Sequence, residues 1–193
     1  MTTSHFIEAY QNTLSADECA DIIKRFEADP ASTPSRTQRG VNEELRSGQM
    51  LDVADLPHWA DIRALVAERV MKNVGAYMQK YRSMDAFAKP GRATLTPPLL
   101  ERIGPGQGYN WHIDAGPAGT ETRLLSSLLY LADVEEGGVT EFPYQQIGIK
   151  PTRGLMVLFP PFWTHLHRGA PVTKGMKYNI TNYLCLIPEP LEG

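Results

Sequence analysis

His112 and Asp114 stand two apart in the stretch YNWHID, between ERIGPGQG and AGPAGTETR. In an extended chain successive side chains alternate faces, so these two point the same way and Ile113 points oppositely. An imidazole and a carboxylate on one face are two ligands for a divalent first-row metal. The same residues also suit a strand end running into an Asx-turn, because Asp followed by Ala-Gly is ordinary turn chemistry. A second pair at the same spacing, His165 and His167, follows Pro160-Pro161. After a turn at Thr173-Lys174-Gly175, a strand beginning near Met176 places Lys177, Asn179, Thr181 and Tyr183 on one face. Inside a small barrel such a face is costly without polar partners, and an inward Lys177 needs an anion opposite it. Turned to water, the same face needs no partner at all. His167 lies ten residues before Lys177 across one turn, so neighbouring antiparallel strands would bring both to one cavity.

These residues need a scaffold, and the chain changes grammar to supply one. The first third reads helical. Ser15-Ala16-Asp17-Glu18 is a capping box, and Ala20, Ile22, Ile23 and Phe26 follow at roughly helical spacing until Asp29-Pro30. Residues 30–50, PASTPSRTQRGVNEELRSGQM, form a polar, turn-rich surface loop long enough to be functional. Pro57 opens a second helix, in which Ile62, Leu65, Val66, Val70, Val74 and Met78 mark one apolar stripe ending near Tyr81. From Thr94 onward, short β-rich runs alternate with Gly, Pro and Asp: LLERI, YNWHI, RLLSSLLYLA, VTEFPY, GLMVLFP and KYNITNYLCLI. That spacing, with no helical period between the runs, argues for an antiparallel sandwich or barrel.

Length and composition narrow the class. A chain of 193 residues fits one domain with a sizeable core. A formal net charge of −3 offers no electrostatic case for nucleic acid or an anionic membrane. The N-terminal MTTSHFIEAYQN lacks a basic and apolar signal, and no apolar run approaches the ~18–20 residues of a membrane span. Cys19 and Cys185 form no Cys-x-x-Cys and read as free thiols. The expectation is a cytoplasmic, single-domain protein with no nucleic-acid or membrane partner.

From about Leu99 to Leu186 the chain resembles the 2-oxoglutarate- and iron-dependent dioxygenases of the prolyl 4-hydroxylase type. Their Tyr-x-x-His-x-Asp motif is matched by Tyr109, His112 and Asp114. A following segment is matched by Tyr130-Leu131, Val134, Gly137-Gly138, Thr140 and Phe142. Their His-x-x-x-Pro-Val-x-x-Gly-x-Lys is matched by His167, Pro171-Val172, Gly175 and Lys177. Three pieces in order, over about half of the chain, make a specific signal. The segment VNEELRSGQ falls in the position of the family's substrate-side loop.

The resemblance implies an α+β fold, with a double-stranded β-helix (jelly-roll) core over residues 94–188 and mostly helical support over 1–90. It implies a single dioxygenase domain over 1–193 that binds iron(II) through His112, Asp114 and His167. The cosubstrates would be 2-oxoglutarate and dioxygen, with ascorbate as a supporting reductant. Lys177 would hold the far carboxylate of 2-oxoglutarate, assisted by Tyr109, Thr140 or Thr181. Arg123 and Tyr183 would stand beside the substrate, a prolyl residue in a peptide or a proline-like small molecule; by residue type, Trp111 with Phe162 and Trp163 would line a mouth for an apolar or ring-shaped substrate or equally pack in the core. Hydroxylation of a C–H bond would release succinate and carbon dioxide. Where many relatives have a tyrosine nine residues before the first ligand, this chain has Ile103, so the cosubstrate pocket must compensate. His165 is the rival third ligand, and the spacing to Pro171-Val172 and Lys177 favours His167. His165 is then expected to pack or hydrogen-bond near the barrel rim. Two other readings are a cupin-type metal-binding protein, for which His165-Leu166-His167 supplies the pair but no glutamate follows, and a module that senses 2-oxoglutarate or oxygen.

Overall fold

The computed structural model describes residues 5–36, 40, 42, 44–87, 91–116 and 119–187. Ser15 caps the first helix as its spacing predicts. Its hydroxyl accepts from the Glu18 amide at 3.2 Å, and its own amide donates to the Glu18 carboxylate at 2.7 Å. Helix α1 (Ala16–Ala28) stops at Asp29, ahead of Pro30. Helix α2 (Ala60–Lys80) is entered through a 3-10 turn over Pro57–Trp59. Ile62, Val66, Val70 and Val74 are all buried along one side of it. At four-residue steps they form a continuous ridge, and each valine so covered contributes roughly 1.5 kcal/mol.

The strands, in chain order, begin with β1 (Glu8–Tyr10), β2 (Thr33–Pro34), β3 (Gln49–Asp52), β4 (Ala93–Leu95) and β5 (Leu99–Ile103). Next come β6 (Tyr109–His112), β7 (Arg123–Tyr130), β8 (Glu136–Gly137), β9 (Thr140–Phe142) and β10 (Ile147–Ile149). The last four are β11 (Met156–Phe159), β12 (His167–Gly169), β13 (Val172–Lys174) and β14 (Lys177–Leu186). The larger sheet runs β1-β11-β7-β14-β5-β3-β2, with β4 also on β14, and the smaller runs β10-β9-β12-β6. From β5 onward the chain passes back and forth between the two sheets, the jelly-roll pattern. On β7, Leu125 and Leu129 meet the helices, joining one buried cluster with Ile22, Phe26, Val66 and Val70. Ser126, Leu128 and Tyr130 alternate with them and face the smaller sheet. The helices therefore cover the outside of the larger sheet, and its inner face is left to line a cavity.

The regular structure of the first 90 residues is mostly helical and also includes β1, β2 and β3, which extend both sides of the larger sheet. β2 and the start of β3 fall within the segment 30–50 expected as a surface loop, because an open sheet edge carries unpaired backbone groups and takes up extended chain near it. Contrary to expectation, His167 and Lys177 do not sit on neighbouring strands. β12 pairs with β6 and β9, whereas β14 pairs with β4, β5 and β7. The short β13 lies between them in sequence and pairs with β8, so the chain crosses from one sheet to the other. The two residues meet across the cavity rather than side by side. Cys19 and Cys185 are free thiols, as expected. No helix among the described residues is long and apolar enough to cross a membrane.

Candidate active site

β6 and β12 pair with His112 directly opposite His167, which sets the two imidazoles 4.2 Å apart between ring centres. β6 ends at His112, and the chain then bends so that the amides of Asp114 and Ala115 both donate to the Pro161 carbonyl, at 3.0 and 2.9 Å. This anchors the Asp114 loop to the segment that leads into His167. One ligand atom from each of His112, Asp114 and His167 lies within 4.8 Å of the others. His112 Nε2 is 3.6 Å from Asp114 Oδ1, and His167 Nε2 is 3.7 Å from Asp114 Oδ2.

The rings are oriented for a metal. His112 Nδ1 is 2.7 Å from the Asn110 carbonyl, and His167 Nδ1 is 3.0 Å from the His165 carbonyl. A carbonyl only accepts, so each Nδ1 carries the proton and each Nε2 keeps its lone pair towards the cluster. Burial, with His167 alongside, pushes His112 down to about 4, so its ring is neutral near neutral pH. Burial opposes ionisation of Asp114, but the two histidines and the Ser126 hydroxyl outweigh it and hold the carboxyl below its usual range. Ser126 donates to Asp114 Oδ2 at 2.6 Å. Two imidazoles and one carboxylate suit iron(II) and leave coordination positions free for other ligands.

His165 takes no part in this cluster. Its Nε2 meets the His5 carbonyl at 2.9 Å and its Nδ1 meets the Thr164 hydroxyl at 2.9 Å. The cupin His-x-His pair is therefore divided, with one ring facing the cluster and the other tied to the N-terminal segment.

Lys177 enters the same cavity from the opposite sheet, with Thr140, Thr181, Tyr109 and Ile103 also on its walls. Only 3% of Lys177 is exposed. Its ammonium donates to the Gly138 carbonyl at 2.9 Å, and no carboxylate among the described residues pairs with it. Burial lowers it to about 8, and Glu101 partly opposes that shift. A buried cation without an acid to answer it fits an anionic ligand. Thr140 accepts from the Tyr130 hydroxyl at 2.6 Å, which leaves its own proton to donate. Ile103 stands opposite Lys177 on β5, so a side chain without a donor occupies the place of the family tyrosine.

The three expected substrate residues are split. Tyr183 lines the cavity, with its hydroxyl 3.5 Å from Asp114 Oδ1. Arg123 braces it, lying 3.5 Å from the Tyr183 ring centre and donating to the Asp114 carbonyl at 2.7 Å. Trp111 is turned to the outer surface, under the Arg168 guanidinium at 4.6 Å. The substrate-side loop can be followed in part, since Val41 and Glu43 lie outside the described residues. Its Leu45–Ser47 stretch runs along β6: Asn110 donates to the Leu45 carbonyl at 2.7 Å and Ser47 to that of Gly108 at 2.9 Å. This run delivers Arg46 to the cavity wall, where it pairs with the buried Glu101. Neither residue was anticipated. Glu101 shares parity with Ile103 in LLERI, which marks an inward acid once the direction of Ile103 is known. Nothing local marks Arg46.

A model of the 2OG-Fe(II) oxygenase superfamily matches residues 98–185. A protein of Arabidopsis thaliana named "Probable prolyl 4-hydroxylase 9" is 33% identical over 210 residues, spanning 91% of this chain and 67% of that protein. This chain belongs to the 2OG-Fe(II) oxygenase superfamily. A PKHD-type hydroxylase of Klebsiella pneumoniae is 40% identical over 93 residues, 44% of this chain and 41% of its relative. Among solved structures, the viral collagen prolyl hydroxylase of Paramecium Bursaria Chlorella virus-1, as its 2OG complex, superposes with a TM-score of 0.68 at 20% identity. That likeness covers 94% of this chain and 97% of the viral one, and it establishes the shared jelly-roll fold. Iron(II), 2-oxoglutarate and dioxygen are the cofactor and cosubstrates of the superfamily, which makes this chain a 2-oxoglutarate-dependent dioxygenase.

Proposed function

We propose that this protein hydroxylates a C–H bond of a prolyl residue in a peptide, or of a proline-like small molecule, with His112, Asp114 and His167 binding iron(II). The observation that carries this reading is one cavity with the three-ligand cluster on one wall and an unanswered buried ammonium, Lys177, on the other. Iron(II) with 2-oxoglutarate and dioxygen supplies the oxidising chemistry, and 2-oxoglutarate leaves as succinate and carbon dioxide. The chain's own residues do the rest. Ser126 holds the Asp114 carboxylate in place, and the Asn110 and His165 carbonyls set the imidazole tautomers. Lys177 and the Thr140 hydroxyl supply donors for the far carboxylate of 2-oxoglutarate, with Thr181 and Tyr109 beside them. Leu128 and Phe159 line the same space with apolar surface that excludes water.

The prolyl substrate is supported by the names of the Arabidopsis and viral relatives, and by Tyr183 and Arg123 bracing the metal side of the cavity. The test is succinate formation by iron-loaded protein with proline, short proline-containing peptides and unrelated amino acids. A prolyl compound should raise succinate above the substrate-free rate and gain one oxygen atom by mass. Stimulation only by non-prolyl compounds would overturn the substrate assignment.

A further inference from the structure

We propose that Arg46 and Asn179 are positioning residues that hold the Glu101 carboxylate away from Lys177, so that the ammonium stays open to the far carboxylate of 2-oxoglutarate. The inference rests on the cosubstrate reading given above. Glu101 and Asp114 are the carboxylates on the cavity wall among the described residues. A glutamate buried beside a lysine ordinarily pairs with it, which would close the site to an external anion. The backbone invites that pairing. On β5 and β14, Ile103 faces Lys177 and Glu101 faces Asn179, so Glu101 is diagonal to Lys177 on one sheet face, a separation that long side chains span.

The side chains go elsewhere. Glu101 Oε1 accepts from Arg46 Nε at 2.9 Å and also pairs with Arg46 Nη2, while Oε2 accepts from Asn179 Nδ2 at 2.9 Å. Both carboxylate oxygens are thereby committed. Lys177 gives its bond to a neutral carbonyl, that of Gly138. Asn179 is 2% exposed, and among the described residues its Oδ1 has no hydrogen-bond partner. Its amide is oriented for the acid at the expense of its own oxygen. Arg46 is held independently, because its Nη1 donates to the Arg36 carbonyl at 3.2 Å and its backbone bridges Tyr109. The charges then balance. Arg46 and Glu101 cancel, Lys177 contributes one positive charge, and iron(II) with Asp114 contributes another. Two net positive charges match the dianion 2-oxoglutarate, and a Lys177–Glu101 pair would remove the half that lies at its far end.

The test is calorimetric titration of 2-oxoglutarate into Mn(II)-loaded protein, with Mn(II) affinity measured separately. Arg46→Met should weaken 2-oxoglutarate binding about tenfold or more and leave Mn(II) affinity within about threefold. Adding Glu101→Gln to Arg46→Met should bring 2-oxoglutarate binding back to within about threefold of wild type, which a merely structural role for Arg46 would not do. Unchanged binding in Arg46→Met, or a double variant as weak as the single one, would overturn the proposal. Should Arg46→Met not fold, Glu101→Gln alone decides. Binding as tight as wild type or tighter supports the proposal, and a loss beyond about tenfold shows that the acid itself serves the anion site and overturns it. Wild-type protein that fails to bind 2-oxoglutarate at all would sink the cosubstrate reading instead, and this outcome is distinct from every variant result.

Discussion

Replacing Lys177 by methionine should weaken cosubstrate binding strongly while leaving stability nearly unchanged or raised. The ammonium is 3% exposed, and among the described residues its hydrogen bond goes to the Gly138 carbonyl, at 2.9 Å. In the unliganded protein it is a buried charge without an acid partner, so removing it relieves desolvation and costs one hydrogen bond, a net change within about 1 kcal/mol of zero or in favour of the variant. With 2-oxoglutarate bound, the same change strips a charge-assisted bond from a buried carboxylate, about 2–4 kcal/mol, or roughly 30- to 1000-fold in affinity. The proton gives a second check. Burial holds Lys177 at about 8 in the folded chain, against about 10.4 for a free lysine. The penalty for the buried charge is fully present below pH ~8 and is relieved as the pH rises towards ~10, because the unfolded chain then holds the extra proton. Stability should therefore rise across that window in wild type and not in Lys177→Met. Affinity for 2-oxoglutarate runs the other way, flat below pH ~8 and falling above it as the ammonium is lost. Lys177→Arg keeps its charge at every pH, so its weaker binding should show no such fall. Anaerobic titrations at several pH values, with urea unfolding in parallel, measure both. Wild-type affinity in Lys177→Met, or a wild-type profile that stays flat through pH 9, would refute the reasoning.

Other substitutions separate ligand, support and scaffold. His167→Ala should lose Mn(II) binding while the fold persists, whereas His165→Ala should keep it and lose about 1–2 kcal/mol through its bonds to His5 and Thr164; Mn(II) bound only by the former variant would reverse the ligand assignment. Ser126→Ala frees one oxygen of Asp114 and should weaken Mn(II) affinity about ten- to a hundredfold, read by competition with a chelating dye. Ser15→Ala removes the capping box of α1 and should cost about 1 kcal/mol in urea unfolding with no change in 2-oxoglutarate affinity.

The candidate site residues were legible because their constraints are local. A capping box needs only the residues from Ser15 to Glu18, and both of its bonds are present. His112 and Asp114 share a face because alternation is built into an extended chain, although in the structure the bend held by the Pro161 carbonyl completes their convergence. The face of β14 carrying Lys177, Asn179, Thr181 and Tyr183 followed from the same period of two, and all four line the cavity.

Alternation gives a face but not a partner, and partners are what the tertiary structure decided. That His167 and Lys177 meet from opposite sheets depends on where the chain crosses, set by the pairing of β12 with β6 and of β14 with β5 and β7. The choice between His165 and His167, equal in parity, was made by one ring finding the His5 carbonyl at the far end of the chain. Whether a polar strand face met water or a cavity turned on the helices covering the other side of the larger sheet. The Arg46–Glu101 pair joins residues 55 positions apart. Parity with Ile103 gives Glu101 its face, but nothing local marks Arg46 or joins the two, because the energy that holds a buried arginine to a buried glutamate exists only after the fold has removed both from water.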